Sequence, residues 1–175
     1  MARILLGGML VLALIAGAAM YYLQVYAYYD TVSDVPEQSV QMTTLVGNAP
    51  EPILYEAFEA IDADSSPLRY RACFTTPQSI SMMTETYVTY EVAEPRVAPG
   101  WFECFDADAI GAAIETGEAV VFMGTENVEY GIDRVIAVFD DGRGFAWHQI
   151  NACGEVVFDG QPAPEDCPTP PEGLR

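Results

Sequence analysis

His148 is the first residue to consider for chemistry, because it is the only histidine among the 175 residues and imidazole titrates near neutral pH. Trp147 and Gln149 flank it near the end of an apolar stretch. The chain contains neither Gly-x-Ser-x-Gly nor His-Glu-x-x-His, the patterns of serine hydrolases and zinc hydrolases. We therefore predict no catalytic residue and expect a structural histidine that hydrogen-bonds a neighbouring loop.

Arg69 and Arg71 could bind an anion together. They are two positions apart in residues 68–74, where apolar residues alternate as in a β-strand, so both guanidinium groups would project from one face. Paired guanidinium groups bind carboxylates or phosphates, whereas pairing with the chain's own acidic side chains is the simpler use. We predict Arg69, Arg71, Trp147 and His148 as a binding surface.

Four cysteines report on the redox environment, and they are Cys73, Cys104, Cys153 and Cys167. Because no two are spaced as C-x-x-C, neither a zinc knuckle, a thioredoxin-like centre nor a c-type haem is indicated. We expect two disulfides in an oxidising compartment. Of the three pairings, Cys73 with Cys104 and Cys153 with Cys167 is preferred, because the second would hold the Pro-rich residues 161–171 in place.

Two stretches carry metal-ligand residue types. Residues 62–66 begin like a calcium loop, but the Gly and Glu that an EF-hand needs further along are missing, so we expect a capped helix end and a turn. Met82, Met83 and His148 with a thiolate would suit Cu(I), although adjacent methionines do not share a helix face. We predict no metal and no cofactor, with a copper or redox site as the alternative.

The composition is strongly acidic, with 26 Asp and Glu against seven Lys and Arg and a formal net charge of -19. Nucleic acids require a basic face, so no nucleic-acid partner is expected. Gly142 and Gly144 belong to a hairpin turn with no helix after it, so no nucleotide site is predicted. The charge indicates a basic protein or a metal cation as partner, or only a well-solvated surface.

Residues 4–23 form an uncharged run of 20 residues that is long enough to span a membrane. The tyrosines that follow are typical of an interfacial aromatic belt. A cleaved secretory signal with its cleavage site at residues 16–18 is the alternative. Arg3 precedes the run and acidic residues follow it, which favours a cytoplasmic amino terminus and an exported domain.

The periodicity divides the chain into a membrane anchor (residues 1–29), a flexible spacer (30–52) and an α+β domain with a Pro-rich tail (53–175). Early helices and a late antiparallel meander are expected. The predicted helices cover residues 53–61, 76–87 and 107–115, and the predicted strands cover residues 68–74, 119–123, 134–139, 144–150 and 155–158.

Three stretches together with the Tyr-rich end of the apolar run resemble one bacterial family of unknown function. They are residues 60–74 (AIDADSSPLRYRACF), 140–151 (DDGRGFAWHQIN) and 160–168 (GQPAPEDCP). Members of that family are short and singly membrane-anchored, and some carry an automatic histidine-kinase label. The resemblance implies a bacterial inner-membrane and periplasmic placement and no activity. The kinase label has no support here, since neither a phosphoacceptor helix nor a Gly-rich ATP domain faces the cytoplasm.

Anchor, charge and missing catalytic motifs together indicate a non-enzymatic accessory or assembly protein. We expect its acidic domain to contact a basic protein or an envelope complex, for example a respiratory one. The copper or redox protein described above is the alternative from another class.

Overall fold

The chain begins with a long apolar helix. The structure, a computed structural model, describes residues 2–173. Helix α1 covers Ala2–Tyr22 and continues into one π-helical turn, Leu23–Ala27. The 25 residues Arg3–Ala27 are long and apolar enough to cross a bilayer, since about 20 helical residues span its hydrocarbon core. The predicted anchor is therefore present as a candidate membrane-spanning helix.

The rest of the described chain folds into eight strands and three further α-helices. The strands are β1 Asp30–Val32, β2 Gln41–Thr43, β3 Pro50–Pro52, β4 Glu56–Asp62, β5 Arg71–Thr75, β6 Ala119–Glu129, β7 Ile132–Phe139 and β8 Arg143–Ile150, and the helices are α2 Ile80–Thr86, α3 Ala107–Thr116 and α4 Ala152–Phe158. Six strands form one sheet with the order β1-β4-β5-β8-β7-β6, in which every neighbouring pair is antiparallel. A second sheet pairs β2 with β3.

Each face of the large sheet has its own core, because side chains alternate along a strand. On the first face, Tyr70, Ala146 and their neighbours pack against β2 and α2, which contribute the fully buried Met42 and Met83, and these residues form the first core. On the second face, Trp147 and its neighbours pack against α3 and the segment before it, and these residues form the second core. The result is three layers with helices outside an antiparallel sheet, so the predicted α+β class is confirmed.

Several local predictions are confirmed because their signals act over a few residues. Asp106 caps α3 by accepting a hydrogen bond from the Ala109 amide, and Gly117 ends it with φ 78°. The turn between β7 and β8 contains Gly142 at φ 86°, as expected of Asp-Gly in a hairpin.

Both preferred disulfides are present. Cys73 in β5 is bonded to Cys104, which lies just before α3, and Cys153 in α4 is bonded to Cys167. The first joins the sheet to the segment that covers its second face, and the second holds the Pro-rich tail against α4. Two disulfides fit an oxidising compartment.

The predicted helix over residues 53–61 is wrong, because β4 occupies most of that stretch. A β-bulge lies between Glu56 and Glu59, with Ala57 at φ 51°. The bulge lets Tyr55 and Phe58 pack on the same core cluster although they are three positions apart. An extra residue in a strand thereby imitates the spacing of a helix.

The flexible spacer over residues 30–52 is also wrong. β1 pairs with β4, and β2 and β3 form the hairpin that covers the first core. Val40 and Met42 are completely buried in that core. These strands are only three residues long, too short to show a period, so their order depends on tertiary packing.

Other element boundaries and types differ from the sequence prediction. The fourth late strand is wrong, because Asn151 caps α4 by accepting a hydrogen bond from the Gly154 amide. Helix α2 begins after Ser79 rather than after Thr76. Pro67–Arg69 is a 3-10 turn, so the predicted strand begins only at Arg71.

Candidate functional site

Polar buried side chains collect at the end of the large sheet where β1 begins, here called the anchor end. Asp30 opens β1 close after the helical anchor and is paired with Asp62 at the end of β4. Further across the sheet, His148 is paired with Arg134 near the same end. The register thus places the predicted histidine at the side of the domain from which the anchor leaves.

His148, Tyr70 and Arg134 form the His148 cluster on the first face of the sheet. The imidazole stacks on the Tyr70 ring with centroids 4.7 Å apart. Its Nδ1 lies 2.7 Å from the Pro67 carbonyl oxygen, and Arg134 Nε donates to its Nε2 at 3.0 Å. Because a carbonyl only accepts, Nδ1 carries the proton, and the ring is neutral.

The surroundings of His148 keep it neutral over the physiological range. Burial and then the positive charge of Arg134 lower the pKa of His148 to about 4. Protonation of Nε2 would also remove the acceptor that Arg134 uses. The predicted hydrogen bond from His148 to a neighbouring loop is present.

A cleft of about 360 Å³ opens beside the His148 cluster and is lined by Asp62, Asp64, Glu129 and Arg134 among others. Burial raises the pKa of Asp62. The turn over residues 62–66 follows the end of a strand, so the predicted helix end before it is wrong. Among residues 2–173, no three His, Cys, Asp or Glu side chains are placed to hold one metal ion.

The predicted pair of Arg69 and Arg71 does not form, because the strand begins only at Arg71. Arg71 is buried and donates to four carbonyl oxygens, those of Leu68, Tyr70, Arg96 and Val97. Burial lowers the pKa of Arg71 to about 10, which still leaves it charged at neutral pH. Arg69 lies in the 3-10 turn with its guanidinium carbon 5.5 Å from the centre of the Tyr29 ring.

Trp147 is likewise a core residue, with none of its surface exposed. Its Nε1 donates to Gln149 Oε1 at 3.1 Å. The predicted binding surface is therefore wrong as a surface. Trp147, His148 and Arg71 are buried, and Arg69 is half-buried.

The residues of the alternative copper site lie in different environments. Met83 is completely buried in the first core, whereas Met82 is 40% exposed. Both ring nitrogens of His148 are hydrogen-bonded within the protein. All four cysteines are in disulfides.

Sequence reasoning missed the Asp133 cluster, which lies on the opposite face and consists of Asp133, Tyr90, Asn127 and Asn151. Asp133 is only 3% exposed. Its carboxylate accepts hydrogen bonds from the Asn127 amide at 2.9 Å, from Asn151 Nδ2 at 2.8 Å and from the Tyr90 hydroxyl at 3.2 Å. Burial and Asp133 both raise the pKa of Tyr90, so the phenol keeps its proton. The sequence signal that could have revealed this cluster is Asp133, an acidic residue next to the apolar run of β7.

The Asp133 cluster fixes two neighbouring backbone segments. Asn127, at φ 49°, accepts from the Gly131 amide across the β6–β7 turn. Asn151 caps α4 while it donates to Asp133. The turn and the helix touch so closely that a Cβ on Gly131 would lie 2.5 Å from the Gly154 Cα.

The comparisons with known proteins identify a family that covers most of the folded part of the chain. The sequence profile of DUF6446, a family of unknown function, matches residues 40–168. The chain belongs to the DUF6446 family. No curated protein and no solved structure matches it. This match confirms the resemblance to a family of unknown function that the sequence indicated. The matched residues contain both clusters and both disulfides, whereas the anchor and β1 precede them.

In this DUF6446 chain most acidic side chains are exposed, whereas the described arginines are divided between the interior and the surface, with Arg3, Arg96 and Arg143 exposed. Arg71 and the half-buried Arg134 are used within the fold. Within residues 2–173, the ion pair that forms is the exposed one between Arg143 and Asp141. Most of the 26 acidic side chains therefore face solvent without a basic partner from the same chain.

Proposed function

We propose that this DUF6446 protein is a non-enzymatic accessory or assembly protein that contacts a basic protein or an envelope complex, for example a respiratory one, through its acidic domain. α1 anchors it in the bacterial inner membrane, with Arg3 on the cytoplasmic side and the domain in the periplasm. The observation that carries the proposal is the acidic surface without matching bases.

The placement of individual carboxylates supports a role beyond stability. Glu115 and Glu118 are exposed at the carboxyl end of α3, and no basic residue occupies its last turn. The helix macrodipole favours cations at that end, so negative charge there is unfavourable for the fold. Such carboxylates attract a basic partner and speed its association.

The decisive test is a crosslinking pull-down from native membranes with a tag at the carboxyl terminus, read by mass spectrometry. Enrichment of one membrane complex or basic periplasmic protein is expected. A count of free thiols runs in parallel, and none is expected. Repeated absence of a specific partner, or free thiols together with bound metal, would overturn the accessory role.

Charge dependence gives a second test, with a basic cytochrome c as the probe and the full chain in nanodiscs. Binding should weaken by about tenfold or more as salt rises from about 20 to about 200 mM. Glu115→Gln with Glu118→Gln should weaken it further at low salt. The control Thr116→Ala, on the same turn, should bind as the unchanged chain does. Binding that does not respond to salt contradicts a charge-driven contact.

A further inference from the structure

One segment joins the sheet directly to the end of the anchor, and we call it the strap (residues 92–101). Gln149 holds its beginning, because Gln149 Nε2 donates to the Val92 carbonyl at 2.8 Å and Gln149 Oε1 accepts from the Glu94 amide at 3.0 Å. Arg71 holds its middle by donating to the Arg96 and Val97 carbonyls at 2.7 and 3.2 Å. Both holding side chains are buried, so the strap is fixed across the anchor end.

The end of the strap contacts the anchor itself. Trp101 Nε1 donates to the Val25 carbonyl in the π-helical turn at 2.7 Å. The Trp101 ring stacks on Tyr26 with centroids 6.1 Å apart, and Tyr26 stacks on Tyr22 at 5.9 Å. Tryptophan and tyrosine at the end of a spanning helix lie at the headgroup level of a bilayer. Trp101 therefore carries the aromatic belt from the helix onto the domain.

The same strap presents apolar side chains outward. Val92 is 71% exposed and Val97 is 77% exposed, while the backbone between them is held by the buried Gln149 and Arg71. A single exposed valine is common on a soluble protein. Here both lie on a segment that is continuous with the aromatic end of an apolar helix, which gives them an environment other than water.

The junction leaves little freedom for the domain to move away from the bilayer. Asp30 already pairs within the sheet shortly after the anchor ends. Arg69 lies over Tyr28 and Tyr29, with its guanidinium carbon 5.9 and 5.5 Å from the ring centres. The domain is thus joined to the end of the anchor by contacts from Trp101 of the strap and from Arg69, and not by a flexible tether.

We propose that the strap lies in the lipid headgroup and upper acyl region, with Val92 and Val97 in contact with phospholipid. The inference rests on the part of the proposed function in which α1 spans the membrane. The strap carries one exposed acid, Glu94, and one exposed base, Arg96, so it has no net charge of its own. The chain's charge of -19 repels anionic headgroups, and the lipid contacted is therefore zwitterionic. The acidic surface away from the anchor end then remains open to a protein partner.

Photocrosslinking tests this contact in the full chain, reconstituted in phosphatidylcholine vesicles. A benzoylphenylalanine replaces Val97 or, in a second variant, Val92. The matched control replaces Leu54, which is 68% exposed. Thr76 Oγ1 donates to the Leu54 carbonyl, and the Thr76 amide donates to Gly142 in the β7–β8 turn, so Leu54 lies at the other end of the sheet. Replacement of Leu14 within α1 reports on the anchor.

Mass spectrometry of the adducts gives the result. Lipid adducts at Val97 and Val92 should exceed those at Leu54 by about tenfold or more, as expected of interfacial against aqueous side chains. Lipid adducts at Leu14 with none at Val97 and Val92 would overturn the strap contact and leave the anchor intact. Protein adducts at the two valines, to a second copy or to another chain, would overturn it too. Absence of lipid adducts at Leu14 would contradict the membrane-spanning role of α1 and with it the strap contact.

Discussion

The His148 cluster and the Asp133 cluster include adjacent residues of β7, Arg134 and Asp133, but lie on opposite faces of the sheet. Arg134 and His148 face the first core, whereas Asp133 and Gln149 face the second. In one cluster a cation is hydrogen-bonded to a neutral imidazole, and in the other a carboxylate accepts from neutral donors. In both, the polar side chains satisfy nearby turns and loops. The polar groups at this end therefore order the backbone of nearby turns and loops.

The largest effect is expected from removal of the acceptor in the Asp133 cluster. Asp133→Ala removes a buried acceptor from three half-buried donors, of which only Asn151 Nδ2 keeps another acceptor, Asn127 Oδ1. It should lower the free energy of unfolding by about 4 kcal/mol. Urea unfolding of the full chain in detergent, followed by circular dichroism, measures it. The control Asp141→Asn changes an exposed carboxylate and should leave stability unaltered. Equal stability of the two variants would show that the cluster is not structural.

Tight packing beside the Asp133 cluster should give the next largest effect. Gly131→Ala would place a Cβ against the Gly154 backbone at 2.5 Å, and Gly131 has φ 76°. Gly160→Ala is the matched control, since Gly160 has φ 80° and nothing within 4 Å of its Cβ position. Both variants share the backbone strain of about 1 kcal/mol. Gly131→Ala should lose about 2 kcal/mol more in the same unfolding measurement, and equal losses would contradict the close approach.

The His148 cluster should make stability depend on pH. The pKa of His148 is about 4 in the folded chain, below the ordinary value of 6.5, so the unfolded chain binds more protons between these values. The contribution of the neutral His148 to the free energy of unfolding is therefore fully present above pH 6.5. It falls as the pH drops below this value, by about 1.4 kcal/mol per pH unit. Asp62 acts with the opposite sign, because its pKa is raised. Unfolding between about pH 6.5 and about pH 5 should show this slope.

The matched control for this slope is His148→Gln, which retains polar atoms but does not titrate. Its stability should be lower than that of the unchanged chain at pH 7 and nearly independent of pH down to about 5. A slope that survives in His148→Gln would assign the pH dependence to other groups and contradict the role of the histidine.

How far the sequence predicts this fold depends on the range over which each signal acts. The cap at Asp106, the end of α3 at Gly117 and the Asp140-Asp-Gly turn are local, and all were predictable. The β-bulge at Ala57 has no local signal, because its positive φ is imposed by pairing with β5. The three-residue strands β1, β2 and β3 depend on partners distant in sequence.

The two clusters differ in the same way. His148 stands out by its residue type, and its hydrogen bond to a neighbouring loop was predictable because a buried imidazole needs a partner. The Asp133 cluster joins residues that are up to 61 positions apart, from Tyr90 to Asn151. Only the antiparallel order of β6, β7 and β8 brings the three later ones together. The surface predicted from Arg69 and Arg71 was wrong because a 3-10 turn occupies Pro67–Arg69 and the strand begins only at Arg71. The alternation of apolar residues does not show where the turn ends and the strand begins.

The smallest effect is expected from removal of the positive charge beside His148. Arg134→Gln removes the cation beside His148 but leaves the burial that is the larger cause of its lowered pKa. The pKa of His148 should therefore rise above about 4 and stay below 6.5. NMR titration of this only histidine, in a chain without a histidine tag, measures it directly. Arg143→Gln, at the opposite end of β8, is the control and should leave the pKa unchanged. A pKa that fails to rise in Arg134→Gln would mean that burial, together with Arg71, keeps the imidazole neutral, and that Arg134 serves only to orient the ring.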